Sequence, residues 1–252
     1  MPERPSQRLY LSFLVSVSLF GLFLVTLPTI LPLTIEGYFQ WRKPLIGSVF
    51  GIICFLGIIA VFFPSHCSTI LQKENTESRN QTALKEEREG FRKTSKIFGL
   101  RLTHGHHQNC EGFSAHEFQV GNKTYCTACM GLLLGALVSV CGVVLYFFEG
   151  WNIGENISLF LISGVLGVGL GLFQYVSVNV RWRFIRFSLN VFFVFGTFLV
   201  LASVDAASGS LILDFFVVLL CVFWLLTRIL LSKNIHNKIC QTCDLRCEDY
   251  KN

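Results

Sequence analysis

Residues 124–148 read TYCTACMGLLLGALVSVCGVVLYFF, without a single charged side chain. From Met130 to Phe148 the run is apolar and close to the roughly 20 residues that a helix needs to cross a bilayer. Gly131 and Gly135 stand four apart on it, a spacing that lets a neighbouring helix backbone approach closely. Immediately before it, Cys126 and Cys129 form a CxxC pair. A cysteine motif is therefore delivered straight onto a membrane helix, and that conjunction decides how the rest of the chain is read.

Five further stretches have the same apolar character: about Tyr10 to Leu33, Leu45 to Phe63, Ile157 to Val178, Phe187 to Val204 and Leu211 to Leu231. The chain of 252 residues is 52% hydrophobic and 15% charged, with mean hydropathy +0.55, more apolar surface than a soluble domain can bury. The predicted fold class is an all-α membrane protein of six transmembrane helices. A signal peptide is the rival for the first stretch, but its core exceeds the usual ~7–15 residues and no small-residue cleavage pattern follows, so no removal is expected.

Of the 21 Lys and Arg residues, all but Arg42 and Lys43 fall on one side of this layout. The cytoplasmic side carries the cationic excess, so both termini and the long loop after the second span are predicted cytoplasmic in a cell membrane. An even number of spans puts the loop and the tail on one face. The expected organisation is an N-terminal hairpin over 1–64, a charged surface helix or linker over 65–103, a Cys/His module over 104–129, a four-helix bundle over 130–231 and a Cys-rich tail over 232–252. Within 65–103, Lys73/Glu77, Lys85/Glu89 and Glu89/Lys93 are spaced four apart, which suggests a surface helix. Within the module, His116 to Val120 alternates polar and apolar, Gly121-Asn122 supplies a turn and Lys123 to Cys126 returns, the pattern of a hairpin.

The chemistry lies in two clusters. His107 and Cys110 are followed, after fifteen residues, by Cys126 and Cys129, a zinc-ribbon-like spacing in which two short turns face each other around a tetrahedral ion. His236, Cys240, Cys243 and Cys247 place four more candidate ligands just past the last span. One or two zinc ions are expected, either one per cluster or with Cys126/Cys129 and Cys240/Cys243 sharing a site. An iron–sulfur cluster is the alternative for the same thiols. Reducing cytoplasm favours metal over disulfides, and palmitoylation is the bland reading of juxtamembrane cysteines. Cys54, Cys141 and Cys221 read as small core hydrophobes. His104, His106 and His116 exceed what two closed sites require and raise an open metal centre with Glu111 or Glu117 as base, against plain solvated loop residues. Inside the spans only Gln174, Asn190 and Asp214 stand out, Asp214 in a first helical turn where the dipole favours a carboxylate.

The run HGHHQNCEGFSAHEFQVGNKTYCTACMGLLLG, His104 to Gly135, resembles a family of uncharacterised prokaryotic multi-span membrane proteins that share a His/Cys loop, a CxxC and a Gly-spaced helix. The resemblance implies metal binding but supplies no activity. The expected function is a membrane protein whose zinc site staples loop to tail and presents a surface to a cytoplasmic protein partner or a second copy of the chain. A redox or metal-dependent enzyme is the alternative, and a metal transporter or sensor the third. Nucleic acid is not expected as a partner.

Overall fold

The computed structural model describes residues 5–30, 41–62, 94–97, 100–103, 117–120, 123–175 and 182–242. Six helices are long and apolar enough to cross a membrane, and the protein is a membrane-embedded, multi-pass bundle. They are α1 (Pro5–Ile30), α2 (Arg42–Phe62), α3 (Thr127–Val143), α4 (Ile157–Phe173), α5 (Arg183–Ser208) and α6 (Leu211–Thr242). The end of α3 widens into a π-helical turn over Val144–Phe148. Exposed Leu, Ile and Phe side chains such as Phe55, Leu159, Phe192 and Leu219 cover the outside, as expected where lipid is the solvent.

Helix α5 is the hub. It packs on α3 and α4, and also touches α1 and α6. Glycine makes these approaches possible. A Cβ at Gly131 would sit 2.6 Å from the Phe187 carbonyl oxygen, one at Gly135 2.8 Å from that of Val191, and one at Gly167 2.5 Å from that of Phe192. The Gly131/Gly135 and Gly167/Gly171 pairs are thus packing surfaces for α5, whose own Gly196 faces Gly164 in the same way. Helix α1 is tied to α6 by polar contacts in an apolar setting: Ser18 Oγ donates to Thr227 Oγ1 at 3.2 Å, and Trp224 Nε1 donates to the Ser18 carbonyl at 3.1 Å.

Two antiparallel hairpins accompany the helices. Strands β3 (Glu117–Val120) and β4 (Lys123–Cys126) pair with Glu117 opposite Cys126 and Val120 opposite Lys123, around the two-residue Gly121-Asn122 link anticipated from the alternation. Strand β4 runs directly into α3, with Cys126 as its N-cap residue.

Three expectations are corrected. At the end of the segment read as a charged surface helix or linker, Thr94–Ile97 (β1) and Leu100–Thr103 (β2) form a hairpin instead of continuing a helix, consistent with the β-branched Thr94, Ile97 and Thr103, which suit a pleated surface better. The final helix does not stop near Leu231 but continues to Thr242, so His236 and Cys240 are helical rather than part of a tail. Cys141 is exposed on the bundle's surface, whereas Cys54 and Cys221 are buried as expected. The rest of the charged segment and Cys67 lie outside the described residues.

Candidate functional sites at the two ends of the bundle

Because the helices alternate in direction, the start of α3, the end of α4, the start of α5 and the far part of α6 share one end of the bundle. Cys126 and Cys129 lie there, half-buried, one helical turn apart. The Cys126 thiol is lowered from its ordinary value to about 6. The hydrogen bond from the Cys129 side chain is the main cause; burial opposes it, and the amides of Cys129 and Ala128 and the charge of Arg228 add to it. The thiolate, the form that binds metal, is favoured at neutral pH.

Arg228 itself is 5% exposed and is held by neutral dipoles. Its Nε and Nη2 donate to Asn190 Oδ1 at 3.1 and 2.6 Å, and Nη2 donates to Tyr175 Oη at 3.1 Å. Tyr175 Oη donates in turn to Asn190 Oδ1 at 3.2 Å, and Asn190 Nδ2 donates to the Arg186 carbonyl at 2.7 Å. One Asn carboxamide on α5 thereby links α6 to Tyr175 in the turn just past α4. Arg186 is buried beside this network and feels the Cys126 charge. Gln174, nearby in sequence, donates from Nε2 to the Gly171 carbonyl at 2.9 Å.

Of the expected metal ligands, Cys126 and Cys129 are the pair that the described residues bring together. His107, Cys110, Cys243 and Cys247 lie outside the described residues, as do the surplus His104, His106 and His116 and Glu111. His236 and Cys240 are placed by their backbone four apart on α6, hence on one face of it. Glu117 is placed on β3 opposite Cys126. Among the described residues no group of three or more His, Cys, Asp or Glu is arranged to hold a metal ion. The donor chemistry of the Cys126–Cys129 pair does fit zinc or an iron–sulfur cluster: two thiols one turn apart, the first of them lowered by the hydrogen bond from the second.

At the opposite end a charged cluster occurs that the sequence reading assembled only in part. Arg42 Nη1, at the start of α2, lies 2.6 Å from Asp205 Oδ1 near the end of α5 and 2.6 Å from Asp214 Oδ2 in the first turn of α6. Both carboxylates are fully buried, while the Arg42 side chain is 12% exposed and faces the outside of the cluster. Tyr146, carried by the π-helical turn, donates to Asp205 Oδ2 at 2.7 Å, and Lys43 Nζ stands 4.5 Å above the Tyr146 ring. The tight α5–α6 connection places the two acids. Gly209 caps α5 with φ +62°, where a Cβ would be strained, and its N–H closes on the Asp205 carbonyl at 3.1 Å. Asp214 N–H then closes on the Ser210 carbonyl at 3.0 Å. Asp214 thus keeps the first-turn position expected of it, and is also buried as one arm of a three-helix ion cluster.

Arg42, Tyr146 and Asp205 were missed because each sits at the edge of a span. One signal was available in the charge pattern, which left Arg42 and Lys43 apart from the other cations; Arg42 meets the two acids and Lys43 stands over the Tyr146 ring. The chain matches no protein-family model, no curated protein and no solved structure.

Proposed function

We propose that this is a multi-pass membrane protein whose Cys126–Cys129 pair is half of a cytoplasmic zinc site, completed by His107 and Cys110 or by the His236, Cys240, Cys243 and Cys247 group. The site staples the loop module and the end of α6 to the bundle and presents a surface for a protein partner. The carrying observation is the lowered Cys126 thiol at the mouth of α3, on the same end of the bundle as Arg228 of α6. A hairpin that runs without interruption into the helix fixes both sulfurs relative to the bundle. Zinc bound there would close the end of the bundle without chemistry of its own.

Metal analysis of the purified protein tests this. One or two zinc equivalents are expected, with loss of one in Cys126→Ser or Cys129→Ser. If the clusters share an ion, Cys240→Ser and Cys243→Ser add nothing further to that loss, because the site is already gone. A colourless protein with no metal under non-chelating purification overturns the reading. The same ionised thiol fits a second reading, a membrane redox enzyme with an iron–sulfur centre, for which visible charge-transfer bands are the expected signature. Reporters fused near Thr82 and after Asn252 should both behave as cytoplasmic; opposite locations remove the orientation.

A further inference from the structure

We propose that Asp205 and Asp214 bind one proton between them, forming a proton site at the end of the bundle remote from the cysteines. This goes beyond the metal reading and is independent of it. The argument starts from charge. Two carboxyl groups, 0% and 1% exposed, converge on a single guanidinium nitrogen. Were both ionised, Arg42 would neutralise one and leave the other as net negative charge inside an apolar bundle, where an uncompensated ion is costly.

The hydrogen bonds locate the proton. Asp205 Oδ2 accepts from Tyr146, and Asp214 Oδ2 accepts from Arg42. The two oxygens of the cluster left without a hydrogen bond are Asp205 Oδ1 and Asp214 Oδ1, although the first lies close to Arg42 in an ion pair. The two carboxyl groups also reach the same Arg42 Nη1, Asp205 through Oδ1 and Asp214 through Oδ2, each at 2.6 Å, which sets them side by side. Two carboxylates cannot hydrogen-bond; a carboxylic acid and a carboxylate can. One proton on this pair supplies the missing donor and brings Arg42, Asp205 and Asp214 to neutrality together. Asp205, which has the Tyr146 donor and the Arg42 charge, is the better-served carboxylate, so Asp214 carries the proton.

The charged and titratable groups facing the pair are Arg42 and Lys43 from α2 and Tyr146 from the π-helical turn; α4 carries no ionisable residue. Arg42, 12% exposed beside two fully buried acids, is the member of this ion cluster that reaches the surface.

Infrared spectroscopy of the full-length protein in lipid nanodiscs tests the site. The C=O band of a protonated carboxylic acid is expected at neutral pH, where exposed carboxyl groups are ionised. It should vanish in Asp214→Asn and in Asp205→Asn, persist in the exposed-residue control Glu149→Gln, and disappear reversibly at alkaline pH. Absence of the band in the wild-type protein, or its survival in both folded Asn variants, overturns the proposal. Should the Asn variants fail to fold, Tyr146→Phe decides. Loss of its hydrogen bond to Asp205 should move the disappearance of the band to higher pH, and an unmoved band overturns the assignment.

Discussion

The two ends of this bundle seat buried arginines in opposite ways. Arg42 is met by two carboxyl groups, whereas Arg228 is met by a carboxamide and a phenol. With one proton held between the two acids the first solution cancels charge; the second satisfies hydrogen bonds and leaves the charge in place. That residual positive potential is one of the influences holding the Cys126 thiol down. A membrane bundle can thus use one residue type as a lock at one end and as a source of electrostatic field at the other, and the partner side chain decides which.

The largest expected effect is at the charge-cancelled end. Arg42→Met leaves two buried acids without their counter-ion and should cost about 3–5 kcal/mol of stability, read as thermal unfolding in detergent. A loss near zero would show that water already reaches the carboxylates. Asn190→Leu takes two hydrogen bonds from Arg228 and should cost about 2–3 kcal/mol, less than Arg42→Met because the lost partner is neutral. If it costs more, the dipolar end is the stronger lock and the comparison inverts.

Between the ends, Gly167→Ala drives a Cβ into the Phe192 carbonyl and should cost about 1–3 kcal/mol. Gly169→Ala, with open space at its Cβ, should be nearly neutral in the same assay. The smallest effect concerns reactivity. In chelator-treated protein, alkylation of Cys126 should rise as pH increases through about 6, the value set chiefly by the Cys129 hydrogen bond. Cys129→Ala should move that midpoint upward; an unchanged midpoint would assign the lowered thiol to the helix amides and Arg228 instead.

The spans were legible because hydropathy reports burial in lipid directly, and Gly131/Gly135 and Gly167/Gly171 were legible because only small residues permit that approach. The alternation around Gly121-Asn122 likewise specified its hairpin. What periodicity does not carry is which helix end meets which. Arg42, Asp205 and Tyr146 look like ordinary boundary residues until the bundle closes. The end of α6 was misplaced for a related reason: Ser232, Lys233 and Asn234 mark an exit from the apolar region, and hydropathy records depth, not helicity. Half of the candidate metal site, Cys126 and Cys129, was visible as a CxxC; its lowered thiol comes chiefly from the Cys129 hydrogen bond within that motif, and only the smallest share, from Arg228 about a hundred residues downstream, needed the fold.

Helix α6 also has a mechanical meaning. Its 32 residues make a rod of about 48 Å, against a hydrocarbon core of about 30 Å. From Leu211 to Thr242 it contains neither glycine nor proline, the usual sites of a sharp kink. The rod has no built-in hinge, so Cys240 and the Asp214–Arg42 contact are carried on one continuous helix at opposite ends of the bundle.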